Sequence, residues 1–237
     1  MNQPSLYFLG IRIDEPVTTL TDLLISLVCF YAYFRLTRGS QSSKIGTYFR
    51  YFFMSMGLAT ALGGLVGHGF LYAFPFPSGW EVSPWKLPGW LVSMLSITLI
   101  ERASIEYAKP LISQRTAQVF KWINLIEFFL FVGITFSTLD FFYVEVHSAY
   151  GLLVVVASFH FYIWIKTRSK ASLWILAGVG FSAMAAAVFM QKLALSIWFN
   201  HFDISHVAMS ISAWCFFKGA LVCLIDHQTP LSRSQNT

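Results

Sequence analysis

Charge is scarce in this sequence. Asp, Glu, Lys and Arg make up 11% of its 237 residues, against about a quarter in ordinary soluble domains. Hydrophobic residues reach 56% and the mean hydropathy is +0.62. So little charge cannot keep a globular surface wet, so lipid is the expected solvent, and intrinsic disorder and a coiled coil are excluded. Cysteine is equally thin: Cys29, Cys215 and Cys223 lie in apolar stretches without paired spacing, which excludes a disulfide framework and a CxxC metal knuckle. No phosphate-binding glycine loop, HExxH or GxSxG elbow occurs. The first sixteen residues lack a basic stretch and a small-residue cleavage site, so no removable signal peptide is expected.

What the chain has instead is long apolar runs. A hydrocarbon core about 30 Å thick takes roughly 20 residues of helix, and seven such runs occur, at 17–36, 46–74, 89–107, 117–136, 141–165, 172–190 and 204–225. Pro16 and Pro88 stand where a helix start tolerates proline, and Pro75, Pro77, Ser78, Gly79 and Pro110 break the chain after the second and third runs. The connectors are too short for another folded unit. The expected fold is therefore an all-α, multi-pass integral membrane protein with a single seven-helix bundle. Residues 1–16 form an outer segment, 17–225 the bundle and 226–237 a cytoplasmic tail. Thirteen of the sixteen lysines and arginines flank the first, third and fifth loops and the carboxyl end, leaving Arg12, Lys86 and Lys192 opposite. By the positive-inside rule the amino terminus is outside and the carboxyl terminus cytoplasmic. The net charge of +5 is then a signal of topology, and nucleic acid drops out as a partner.

Small residues recur at four-residue spacing in the second run (Ala59, Gly63, Gly67, with Gly64 and Gly69 beside them), and Gly178 and Gly180 give the sixth a similar character. Such spacing lets neighbouring backbones approach closely in lipid. Ionisable residues inside a membrane are costly and mark candidate functional positions. Following each helix through its direction puts Asp22, His68, His147, Asp203 and His206 in the outer third, with Glu145 and Tyr150 nearby and His160 and His227 near the inner face. In a helical head to the seventh run, Asn200, Asp203 and His206 share one side, whereas His201 points elsewhere. Metal binding needs imidazoles or carboxylates converging from separate helices. His68, His147 and His206 are the expected ligands, with Asp203 as the alternative to His147. Asp22 and Asp203 are the expected catalytic carboxylates, although an acid at position 203 also suits a helix cap. Glu127 in the fourth run and Glu101-Arg102 in the third extend the polar set inward, and Asn124 stands where it can satisfy Glu127.

The seven spans, with His68 in the second and His206 in the seventh, resemble the superfamily of seven-helix membrane hydrolases that includes the alkaline ceramidases and the adiponectin/progestin-receptor proteins. There a serine and a histidine share helix two as S-x-x-x-H, helix seven carries H-x-x-x-H, and three histidines hold a zinc ion whose water attacks an amide or ester of a lipid. In this chain the serine position is Gly64, positions four before and four after His206 are Phe202 and Ser210, and Glu81 stands in the loop of the family's acid. The resemblance implies a zinc-dependent intramembrane hydrolase, with membrane lipids around it and a lipid-like substrate. The alternative is a non-enzymatic receptor, sensor or scaffold that binds a small ligand at the outer polar cluster, where histidines titrate in the physiological range.

Overall fold

The computed structural model describes residues 3–39, 43–76 and 82–228. Its amino-terminal stretch is a small antiparallel hairpin, β1 (Leu6–Phe8) and β2 (Ile11–Ile13), turned by Leu9 and Gly10. Both turn residues have positive φ (50° and 80°), the geometry whose twist matches that of the paired strands.

Seven long helices follow among the described residues. α1 is Pro16–Gly39, with proline at its first position. α2 runs Lys44–Leu62 from a Ser43 cap and continues into a wider π-helical segment, Gly63–Gly69. α3 is Leu87–Ala108 and α4 is Gln114–Thr138, capped by Ser113. α5 begins as Phe142–Ala149, passes through a second π-helical segment, Tyr150–Val156, and ends as Ala157–Thr167. α6 is Lys170–Met190, capped by Ser169, and α7 is His201–Gln228. The chain leaves α4 and α5 through left-handed residues, Leu139 and Arg168, each bonding back to its last turn. Pro77, Ser78, Gly79 and Glu81, singled out in the sequence, lie outside the described residues, as do positions 229–237 of the carboxyl-terminal tail.

Six of the seven helices are long and apolar enough to cross a membrane; α3 is not among them. α3 carries Glu101, Arg102 and Glu106 and lies in the middle, against α2 on one side and α4 and α5 on the other. α1 packs between α2 and α7, α6 lies along α7, and α5 joins α3 to α6. The core joins Phe52 and Phe53 of α2 to Phe216 and Phe217 of α7 at ring separations of 5.8 and 6.3 Å, with Ile25 and Cys29 of α1 beneath them.

α4 is inverted relative to a soluble amphipathic helix. Its buried residues are Ala117, Asn124, Glu127 and Thr135, while Trp122, Ile126, Phe129 and Leu130 are exposed. Where water is the solvent, the apolar stripe turns inward.

The small residues divide by use. A Cβ on Gly64 would stand 2.9 Å from the Asp22 Cβ and 3.0 Å from the Thr19 carbonyl oxygen, and one on Gly63 3.3 Å from an Asp22 carboxylate oxygen. These glycines bring the backbone of α1 against α2. Gly178 gives the same close approach to Phe216 of α7, but a Cβ at Gly180 would meet nothing within 4 Å, so Gly180 plays no part in packing.

Candidate functional site: an imidazole–carboxylate cluster at the head of the first helix

The polar residues Glu15, Thr18, Thr19, Thr21 and Asp22 crowd the first turns of α1. The π-helical end of α2 is laid against them because its glycines offer no Cβ to resist. Glu15 precedes Pro16 and has a left-handed backbone, φ 44°. That is a costly conformation for a residue with a Cβ and commonly accompanies a site that needs it. From there the Glu15 carboxylate accepts a hydrogen bond from Nδ1 of His68 at 2.5 Å. An ionised carboxylate can only accept, so Nδ1 carries a proton, and in the neutral ring Nε2 of His68 is the lone-pair nitrogen. This hydrogen bond holds the Glu15 carboxyl below its ordinary value despite partial burial, with Lys86 adding positive charge nearby.

His206, from the second turn of α7, is arranged in the same way. Its Nδ1 lies 3.1 Å from the Thr21 hydroxyl, whose own proton goes to the carbonyl oxygens of Val17 and Thr18. With its proton so used, Thr21 accepts from Nδ1, and in the neutral ring Nε2 of His206 is again the lone-pair nitrogen. Both Nε2 atoms face one carboxylate: Asp22 Oδ1 is 3.5 Å from His206 Nε2, and Oδ2 is 3.9 Å from His68 Nε2. These separations are wider than a hydrogen bond. Two imidazole lone pairs and a carboxylate therefore converge with no donor between them, a centre suited to a shared proton or a metal cation. The two rings lie 6.3 Å apart at their centroids, and Phe202 packs against His68 at 5.4 Å. Asp22 is 7% exposed, His206 13% and His68 19%, so the cluster is shielded without being sealed.

Of the expected ligands, the structure brings His68 and His206 together about Asp22 and leaves His147 out. His147 is wholly buried on α5, with Nε2 3.7 Å from Glu127 Oε1 and its ring against Phe131. The reason is packing order: α5 borders α3, α4 and α6, while the cluster lies among α1, α2 and α7. Being level in depth did not make these histidines neighbours. Among the described residues no three His, Cys, Asp or Glu side chains stand grouped to hold a metal ion. The carboxylate that both Nε2 atoms face is that of Asp22, and as they stand the three do not make such a group.

Asp203 is fully engaged elsewhere. Oδ1 accepts from the Thr18 hydroxyl at 2.9 Å, and Oδ2 accepts from Gln3 Nε2 at 2.7 Å and from the Asn200 amide at 2.6 Å. The Asn200 side chain in turn accepts from the Phe202 amide at 2.9 Å, completing a reciprocal cap at the head of α7. Asp203 therefore ties the amino-terminal segment and α1 to α7. Asn124 also differs from expectation: it bonds to Glu101 and Arg102, not Glu127.

Glu15, Thr21 and Gln3 were not singled out from the sequence. The run Glu-Pro-Val-Thr-Thr-Leu-Thr-Asp, polar where a membrane helix begins, was the available signal. Gln3 Oε1 also accepts from the amides of Val17 and Thr18, capping α1 from a distance in sequence that no local pattern reveals.

Residues 17–223 match the model of a family of unknown function (DUF6962), and the chain belongs to that family. No curated protein and no solved structure matches it.

Proposed function

We propose that the chain is a multi-pass integral membrane protein, amino terminus outside and carboxyl terminus cytoplasmic, with a zinc-dependent hydrolytic site for a lipid-like amide or ester at its outer end. The membrane reading is supported by six long apolar helices, by the polar inward side of α4 and by the concentration of basic residues at one end of the bundle. The observation that carries the hydrolytic reading is the pair of Nε2 lone pairs turned on Asp22, each imidazole held through Nδ1. A polar partner on the far nitrogen fixes the tautomer and orientation of a metal-binding histidine. Two imidazoles with a carboxylate are a donor set used by catalytic zinc, so His68, His206 and Asp22 would close on the ion, in place of the trio with His147, from positions in which they do not yet form a metal-holding group. Zinc bound there would lower the pKa of a water and polarise a carbonyl. Glu15 and Thr21 orient the imidazoles, Glu15 by accepting the hydrogen bond of His68 Nδ1, and Phe202 gives the site an apolar wall for an acyl chain.

Elemental analysis of the detergent-purified protein tests this directly. About one zinc per chain is expected. The His68→Ala/His206→Ala double variant should lose it together with turnover of fluorogenic amphiphilic amides or esters, and His147→Ala should keep it. A wild-type protein without metal, or a double variant with unchanged metal, overturns the hydrolase. The cluster would then be read as the ligand- or pH-responsive site of a non-enzymatic receptor. That reading draws on a different observation: hydrogen bonds from Glu15, Thr21 and Asp203 link the amino-terminal segment, α1, α2 and α7 at this one place.

A further inference from the structure

A second group of ionisable side chains lies between α3, α4 and α5, away from the imidazole–carboxylate cluster. Glu101 and His147 are wholly buried and Glu127 is 8% exposed. Both oxygens of Glu127, both ring nitrogens of His147 and Oε1 of Glu101 have no hydrogen-bond partner. Among the described residues the cation facing this group is Arg102, and it is turned away from the carboxyls: Nε donates to Asn124 Oδ1, and Nη2 to the Lys121 carbonyl at 2.7 Å. Asn124 passes that polarity on, donating to Glu101 Oε2 at 3.1 Å and to the Thr98 carbonyl at 3.2 Å. Glu101 is thus joined to a guanidinium through one amide. Glu127 is joined to none, and its nearest polar neighbour is His147 Nε2 at 3.7 Å. The charged and titratable groups facing the pair are Glu101 and Arg102 from α3 and Tyr150 from α5; α4 supplies Glu127 itself.

Two adjacent buried carboxylates against one guanidinium leave an uncompensated negative charge in a low-dielectric interior, which is far costlier than neutralising one of them. We propose that Glu127, His147 and Glu101 form a proton-binding site inside the bundle, in which Glu127 carries an exchangeable proton and His147 is its acceptor. Glu101 is the ionised member, balanced by Arg102 through Asn124. In the transfer the O–H bond of Glu127 breaks and an N–H bond forms at Nε2 of His147, so carboxyl and imidazole become carboxylate and imidazolium with no change in total charge. The local backbone is made for the arrangement. Gly151 is the second residue of the π-helical segment of α5, and a Cβ there would stand 2.5 Å from Glu101 Oε1. π-helical segments inside α-helices frequently mark functional sites. His147 stands in the second turn of α5, one turn before that segment.

Infrared spectroscopy of the full chain in lipid nanodiscs, with glutamate selectively carbon-13 labelled, decides the matter. The label keeps Asp22 and the zinc question out of the signal. At neutral pH one glutamate carboxyl band of the protonated form is expected, shifting on transfer to heavy water and disappearing in Glu127→Gln. His147→Gln should keep the band and slow its exchange by tenfold or more, and Arg102→Gln should add a second band as Glu101 takes up a proton. Absence of any protonated glutamate band in the labelled wild type overturns the proposal even if no variant folds. So does a band that survives Glu127→Gln, exchange unaffected in His147→Gln, or a stoichiometric metal ion that only Glu127→Gln removes.

Discussion

The contact between α1 and α2 can be tested by adding one methyl group. Gly64→Ala places a Cβ 2.9 Å from the Asp22 Cβ, 3.0 Å from the Thr19 carbonyl oxygen and 3.7 Å from Leu23 Cγ. Carbon atoms pack best at about 3.5–4.0 Å, and the first two neighbours are a Cβ and a backbone oxygen, which no rotamer change can move. The helices must part by several tenths of an ångström. Overpacking of this kind costs about 1–3 kcal/mol, offset by the roughly 0.5–1 kcal/mol that alanine gains over glycine in a helix. The expected net loss is about 1–2 kcal/mol, read by reversible denaturation in mixed micelles. Gly180→Ala and Gly133→Ala are the controls, because a Cβ at either meets nothing within 4 Å. They should be neutral or stabilising by up to about 1 kcal/mol. Because the displaced residue is Asp22, Gly64→Ala should also lower zinc occupancy. Equal stability of Gly64→Ala and Gly180→Ala would refute the close approach of the two backbones.

Three further outcomes follow from the geometry around the cluster. Glu15 has a carboxyl held below its ordinary value by His68, so its contribution, about 1–2 kcal/mol for a charge-assisted hydrogen bond, is fully present above the unfolded carboxyl pKa of about 4.3. It is lost as pH falls through the lower native value; the melting temperatures of wild type and Glu15→Gln should therefore differ at neutral pH and converge in acid. A gap that stays constant down to acid pH contradicts the pairing. Asp203→Ala leaves the Thr18 hydroxyl, the Gln3 amide and the Asn200 N–H without their acceptor and should cost about 2–4 kcal/mol; a loss below about 0.5 kcal/mol, the size of a neutral surface change, would show that the cap and tie are not made. Thr21→Val keeps the shape of the side chain but removes the acceptor for His206 Nδ1, so zinc affinity should fall about 10–100-fold, and unchanged affinity would mean that Thr21 does not set the tautomer.

The helices were legible because a long apolar run is a redundant signal: some twenty residues each, bounded by prolines and basic loops. Their pairing was not. Asp22, His68 and His206 could be assigned a depth by counting residues, and they do meet, but His147 at a similar depth belongs to another part of the bundle. Depth is one coordinate of three; the other two depend on which helices are neighbours, and that is decided by small residues such as Gly63 and Gly64, whose partner helix no spacing identifies. Asp203 shows the opposite difficulty. Its reading as a helix cap was available locally and describes two of its contacts, while Gln3 and Thr18 reach it from the other end of the chain.

Glycine at position 64 also bears on the resemblance to the zinc hydrolases. The superfamily's helix-two serine would need a Cβ where the backbone of α1 already stands, so it is excluded by the packing that brings Asp22 to His68. A carboxylate from α1 has in effect taken the space, and with it a place beside both imidazoles. In the proposed zinc site, a donor set of two histidines and an aspartate, in place of three histidines, would follow from that one backbone contact. It predicts that restoring the motif by Gly64→Ser drives Asp22 away from the centre instead of adding a helper to it.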